Sequence, residues 1–266
     1  MKKGLSMAEK RANELYCDAF QTYGNDKLKD YYNEETGIFY KYAQFNTIAG
    51  FCCPYASAGC MIACYAKGGL HKMPSVKQSR EKSYKASLDV RFAEKMVYTI
   101  EVELTSRRYN GNVMIIRIHE SGDFYSLEYL KKWVKIFSAF NDGRVNFCFY
   151  TKSFRYFTQL SDEEKDIIRR GMEAGNIAFS LSIDDTTTAE QIALAMEVKR
   201  LFPLANIYFC TDDVNSVKHD NECDCANCAK CGHCTHATGK TTVVKVHSVT
   251  EKQLKKYQSK KRKTAA

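Results

Sequence analysis

The sequence predicts an α/β fold built on a parallel sheet, and three observations lead there. From residue 113 onward, short apolar runs alternate with segments of helical periodicity. Those segments open on capping residues or close on glycine or proline. Strands separated by helices of this length pair in parallel through right-handed crossovers, so the sheet is either open and doubly wound or closed into a barrel. The third observation is size, because 266 residues accommodate a single α/β domain of about 200–250 residues.

Taken in order, residues 6–22 form a short helix with Ala8, Ala12, Leu15, Ala19 and Phe20 on one face. The aromatic run GIFYKYAQFNTI, 37–48, has strand composition and leads into a cysteine-rich loop. Tyr84, Leu88, Phe92, Met96, Ile100 and Leu104 recur every four residues, which predicts one long helix over 75–108 closed by Asn110-Gly111. VMIIRI, 113–118, is the next strand, and Leu130, Trp133, Val134 and Phe137 mark a helix that stops at Asn141-Asp142-Gly143. VNFCFY, 145–150, follows, with SDEE at 161–164 capping a helix that ends by Gly175. IAFSLSI, 177–183, precedes a helix capped by TTAE at 187–190 and stopped at Phe202-Pro203. NIYFCT, 206–211, and TTVVKVH, 241–247, complete six strands.

Composition narrows the class. A 44% hydrophobic fraction supplies a core, and neither a secretory leader nor an apolar run of membrane-spanning length is present, so the expected setting is the cytoplasm, with no membrane partner. Residues 251–266 hold seven Lys or Arg against one Glu and carry most of the formal charge of +9. Such a basic tail binds nucleic acid through counterion release, or is simply a solvated, disordered terminus. Twelve cysteines in a cytosolic chain read as metal ligands rather than disulfides. They cluster as ligands do: four at 52–64 and five at 223–234, with Cys17, Cys148 and Cys210 isolated.

The early group, GFCCPYASAGCMIACYA at 50–66, places Cys52, Cys53, Cys60 and Cys64 in one turn-rich segment after the first strand. Short, unequal spacings let sulfurs converge, as a metal or iron–sulfur cluster requires; the ordinary alternative is cysteine as a small buried hydrophobe. In parallel α/β folds, chemistry collects where loops leave the carboxyl ends of the strands. There the chain places this cysteine loop, His119-Glu120-Ser121-Gly122-Asp123, Thr151-Lys152-Ser153, Asp184-Asp185 and Cys210-Thr211-Asp212-Asp213. His119, Glu120 and Asp123 are acid–base or cofactor-binding candidates, and Lys152 can hold an anionic group. The ordinary alternative for His119 is a hydrogen-bonded anchor for its loop. The late group, NECDCANCAKCGHCTH at 221–236, carries Cys225, Cys228, Cys231 and Cys234 at a strict three-residue repeat. This is the most specific metal signal in the chain. It suits an iron–sulfur cluster, or zinc held with His233 or His236, and one of its sulfurs can also close a site formed by the early loop.

CPYASAGCMIACYA, RIHESGDFYS and the late cysteines resemble the bacteriophage family called gene product eighty-eight over most of residues 37–236. More distantly, the order of features is similar to radical S-adenosylmethionine proteins. That resemblance implies a partial TIM-like (β/α)6 barrel with parallel strands and a C-terminal cysteine-rich metal-binding extension. Its segments are an N-terminal helical piece (1–36), the barrel core (37–215), the extension (216–250) and the basic tail (251–266). It further implies a [4Fe–4S] cluster on Cys53, Cys60 and Cys64, with S-adenosylmethionine at Ser121, Gly122 and Asp123.

Three functions follow as expectations: an iron–sulfur enzyme with His119, Glu120 and Lys152 in catalytic roles, a metal-stabilised nucleic-acid-binding protein, or an electron-transfer or redox-sensing protein. One cluster or two, and iron–sulfur or zinc at the late cysteines, stay open. No Walker loop, GxSxG elbow or HExxH helix is present.

Overall fold

The computed structural model describes residues 6–25, 28–223, 235–246 and 250–265. A short strand β1 (Tyr31–Asn33) turns back antiparallel onto β2 (Ile38–Phe45), with Tyr31 beside Tyr40. From β2 onward every pairing is parallel. The order is β2, β3 (Val113–Ile118), β4 (Val145–Thr151), β5 (Ile177–Asp184) and β6 (Asn206–Thr211). The two-residue β7 (Asn221–Glu222) lies outside β8 (Thr241–Lys245), which pairs with β6. The result is an eight-stranded, mostly parallel sheet in which all six predicted strands take part.

Strands laid side by side in chain order, with right-handed crossovers, place their connecting helices on one face. The sheet is therefore not doubly wound. The core shows this directly. Met114, Ile116 and Ile118 of β3, Phe147 and Phe149 of β4, and Phe179, Leu181 and Ile183 of β5 pack into one buried cluster with residues of five helices. Those helices include α4 (Phe92–Leu104), α5 (Leu127–Ser138), α7 (Asp162–Glu173) and α8 (Ala189–Leu201). Aromatic rings tie the layers together: Phe45 meets Trp133 at 5.6 Å and Phe149 stacks on Phe179 at 5.2 Å. The alternate residues, among them Tyr42, Ile115, Cys148 and Ala178, form a separate, smaller cluster on the other face.

Several predicted elements differ. The N-terminal helix is only α1 (Met7–Ala12). The cysteine loop contains a short helix, α2 (Ala58–Ala63), because the Ser57 hydroxyl caps it by accepting from Cys60 N at 3.2 Å. The long helix is two, α3 (Pro74–Leu88) and α4, broken at Asp89–Arg91. Lys132 of α5 donates to the carbonyls of Ser87 and Asp89, each at 2.9 Å, and Asp89 accepts from Lys95 at 2.6 Å. These partners replace the helical bonds lost at the break. The four-residue stripe also fails there, since Leu88 is 52% exposed. After β4 comes α6 (Phe154–Thr158). The Ser161–Glu164 capping box of α7 forms as predicted. The cap of α8 is shifted by one residue to Thr188 and Gln191, because the Thr187 hydroxyl accepts from Asp184 N.

The basic tail, expected to be disordered, is instead a helix, α9 (Glu251–Ala265), anchored by Tyr257 at 1% exposure. The two strands flanking the late cysteines join the sheet as β7 and β8, while Cys225, Cys228, Cys231, Cys234 and His233 lie outside the described residues. No helix among the described residues is long and apolar enough to cross a membrane.

Replacing Lys132 with Met should lower unfolding stability by about 1–2 kcal/mol, because it strands carbonyls at the α3–α4 joint. A lowered denaturant midpoint together with faster amide exchange at residues 89–92 checks this.

Candidate functional site

On the face away from the core helices, the inward side chains of the parallel strands border a cavity of about 250 Å³. Every predicted site residue that is described lines it: Cys53, Cys60 and Cys64, then His119, Glu120, Ser121, Gly122 and Asp123, then Lys152. Strand register explains the convergence. The β2–β3 pairing sets Phe45 beside Ile118, and the β5–β6 pairing sets Asp184 beside Cys210, so the strand ends reach one rim.

Asp184, at the end of β5, ties the rim together. Its carboxylate accepts from Lys152 Nζ at 2.8 Å, from the Ser57 hydroxyl, and from Thr186 N and Oγ1 at 2.8 and 2.7 Å. Ser57 caps the helix that carries Cys60, so this one carboxylate connects β4, β5 and the cysteine segment. Burial opposes its ionisation, but the Lys152 ammonium and these donors hold its pKa below the usual carboxylate value. Lys152 also donates to Ser182 O at 3.0 Å and is 7% exposed in its side chain. Its charge is therefore matched by Asp184 rather than held ready for an anionic group.

Asp123 does similar work at the β3 end. Its carboxylate accepts from Thr151 Oγ1, Lys152 N and Phe124 N at 2.8, 2.8 and 2.7 Å, and its own N–H donates to Cys52 O at 2.9 Å. Complete burial outweighs these bonds and pushes its pKa up to about 6. Ser121 donates to Thr47 O at 2.8 Å. Gly122 has φ +89°, and a Cβ there would lie 1.9 Å from Thr47 Oγ1, so only glycine fits. The SGD turn thus packs against the end of β2 through side chains already engaged. Glu120 accepts from Asn25 Nδ2 at 2.8 Å, and its carbonyl accepts from the Tyr65 hydroxyl.

His119 is a left-handed residue, φ +60°, with 4% exposure. Its Nε2 lies 2.9 Å from the Tyr129 hydroxyl, whereas Nδ1 is buried without a hydrogen-bond partner. Burial and the nearby Arg117 charge lower its pKa to about 3, so the ring is neutral at physiological pH. It therefore anchors its loop through Tyr129 and keeps one ring nitrogen unused.

The four early cysteines part company. Cys52 is fully buried and does not border the cavity, while Cys53, Cys60 and Cys64 do. Burial raises the Cys53 thiol to about 12, aided by the Asp123 charge, and the Cys60 thiol to about 11. Cys210, from β6, lines the same cavity, and burial with the Asp184 charge pushes it to about 12. Among the described residues, no three His, Cys, Asp or Glu side chains converge closely enough to hold a single metal ion.

Sequence reasoning passed over three contributors. Arg117 projects inward from β3 and stacks over the Tyr150 ring at 3.9 Å, and Tyr150 meets Tyr208 at 4.7 Å. The alternation of VMIIRI marks Arg117 as facing away from Ile116 and Ile118, and that was the available signal. The third is α9. Tyr257 donates to Cys210 O at 3.1 Å and Asp185 Oδ2 at 3.3 Å, and packs against Gly59 of α2, where a Cβ would lie 2.5 Å from its ring. Lys261 pairs with Asp212 at 2.6 Å. The tail helix therefore forms one wall of the cavity.

This arrangement defines an α/β protein whose parallel sheet carries a cysteine-lined cavity at the carboxyl ends of its strands. A model of the Gene product 88 family matches residues 18–237, and the chain belongs to that family. Comparison with curated proteins and with solved structures finds no match. The further likeness to radical S-adenosylmethionine proteins gains no support from these comparisons and rests on the order of features along the chain.

Asp184→Asn should cost about 3–5 kcal/mol at neutral pH, because Lys152 is left buried and uncompensated. A carboxylate whose folded pKa is depressed stabilises the fold above its unfolded value, near 4, and that stability is lost as pH falls through the folded value. The variant should therefore show a shallower loss of stability below about pH 4, measured as denaturant midpoints between neutral and acid pH.

Proposed function

We propose that this cavity is an active site in which Cys53, Cys60 and Cys64 hold a [4Fe–4S] cluster, making the protein an iron–sulfur enzyme similar to radical S-adenosylmethionine proteins. The observation that carries this is that three thiols from one segment border a single cavity together with buried acid–base groups from neighbouring strand ends. An electron-transfer or sensing protein has no need of a cavity beside its cluster. Sequential parallel strands with core helices on one face also suit a partial TIM-like (β/α)6 barrel.

The donor set fits the group. No three His, Cys, Asp or Glu side chains among the described residues form a single-ion site, and a cubane takes each of three cysteine thiolates on a different iron. A cluster held by three thiolates supplies one-electron reduction and leaves one iron open to a cofactor or substrate. Burial keeps Cys53 and Cys60 protonated in the metal-free protein, so iron binding must displace protons and grows more favourable as pH rises. Neutral His119 offers a hydrogen bond rather than an acidic proton. S-Adenosylmethionine at Ser121-Gly122-Asp123 would meet the backbone of Gly122, because the side chains and amide groups of Ser121 and Asp123 are engaged elsewhere. Cys225, Cys228, Cys231 and Cys234 hold a second centre, iron–sulfur or zinc, or lend one sulfur to the first.

Anaerobic reconstitution followed by iron, sulfide and zinc analysis tests this. Cys60→Ser and Cys64→Ser should abolish the visible absorbance of the first cluster, and Cys228→Ser should remove a separate share if there are two. An unchanged iron and sulfide content in both early variants would defeat the assignment, and no spectral change with S-adenosylmethionine would defeat the radical-enzyme likeness.

A second reading is nucleic-acid binding, favoured by α9. Docking through Tyr257 leaves Lys252, Lys256, Lys260, Arg262 and Lys263 exposed on an ordered helix. Because the helix walls the cavity, charge reversal is a cleaner test than truncation. Lys252→Glu, Lys256→Glu and Lys260→Glu together should weaken DNA or RNA binding and flatten its dependence on salt, measured by fluorescence anisotropy.

A further inference from the structure

Two cationic side chains, Lys152 and Arg117, line the cavity. They differ in one respect. Lys152 is paired with Asp184 at 2.8 Å. Arg117 forms no ion pair with any carboxylate among the described residues, and its Nε is buried without a hydrogen-bond partner. One guanidinium face is covered by the Tyr150 ring at 3.9 Å. The side chain is only partly buried, and it borders the cavity. An arginine is always charged, and a charge withdrawn from bulk water without a counter-ion costs several kcal/mol. At the cavity this cost falls on Arg117, and a bidentate oxyanion is the ligand whose geometry a guanidinium edge matches.

Register gives the depth. Arg117 pairs with Cys148, so it stands one inward layer below Tyr150 and further still below Lys152 and Asp184. Two residues of strand correspond to about 7 Å. Arg117 thus lies at the floor and the cysteines near the mouth. The walls between are aromatic, Tyr150 against Tyr208 at 4.7 Å.

We propose that Arg117 anchors a small organic ligand by a terminal oxyanion, carboxylate or phosphate, at the floor of the cavity, with the ligand's other end turned toward Cys53, Cys60 and Cys64. The anion site stands on Arg117 alone; only the role of the far end rests on the proposed cluster. The same geometry predicts a trade of stability for binding, because Met of similar length removes the unpaired charge and keeps the apolar stem.

The test uses the full chain prepared without iron, titrated with inorganic phosphate and, separately, with benzoate, and followed by thermal unfolding and calorimetry. The wild-type protein should be stabilised saturably by at least one of them. Phosphate alone assigns a phosphorylated ligand, and benzoate alone a carboxylate. Arg117→Met should melt a few degrees higher than wild type without ligand, lose the response to either anion, and retain the iron content of wild type after reconstitution. Arg117→Lys should respond weakly. Cys60→Ser should lose iron and keep the anion response, which separates this site from the cluster. A wild-type response no larger than that of Arg117→Met, or an Arg117→Met protein that melts below wild type, overturns the proposal.

Discussion

The buried pairing of Asp184 with Lys152 is the constraint on which the rim depends. Taking both charges out of water is costly, and the pair persists because every remaining acceptor position on Asp184 is filled by Ser57 or Thr186. Those donors come from the segments that build the site. Ser57 starts the helix carrying Cys60, and Thr186 also accepts from Gly59 N at 2.6 Å. An irregular stretch between two elements is thereby held to a strand end by hydrogen bonds to one charge. Buried Cys52 and the Tyr257 ring against Gly59 add apolar contact to this hold.

One-sided helix packing creates the room in which this happens. Phenylalanines, isoleucines and Trp133 crowd the face under the helices and leave it dry. The opposite face carries Arg117, Lys152, Asp184 and several tyrosines and cysteines around a cavity. A face lined with charge cannot close on itself by apolar burial. It is closed instead by the cysteine segment and by α9, whose Tyr257 reaches in beside Cys210. A strongly basic stretch thus serves as a wall through one aromatic residue and one paired lysine, while its other lysines face solvent.

Much of the frame was legible because periodicity reports local demands. Continuous apolar runs with turn residues on both sides located the six parallel strands, and Ser161–Glu164 located a helix start through a bond that spans three residues. The rule that strand ends share a rim brought Cys53, Cys60, Cys64, His119 and Lys152 to one cavity. Where the signal was local but its partner was distant, the expectation slipped. The stripe through Tyr84 to Leu104 ran unbroken in sequence, yet Lys132 from another helix stabilises a break within it. Thr187 and Thr188 were equivalent as caps until Asp184 N claimed the first.

The amino-acid order by itself determined which residues face the helices, which face the opposite side, and which strand ends carry cysteines and polar groups. Those properties follow from the two-residue repeat of a strand and the crossover rule, and both act over short stretches of chain. Tertiary structure alone decided how the charges and thiols are spent. Cys52 and Cys53 are adjacent yet only Cys53 meets the cavity, and of the two cationic side chains that line it Lys152 is paired with a carboxylate while Arg117, among the described residues, is not. The reason is physical: an ion's partner is whatever stands within a few ångströms across neighbouring strands, and no pattern along one strand encodes that distance.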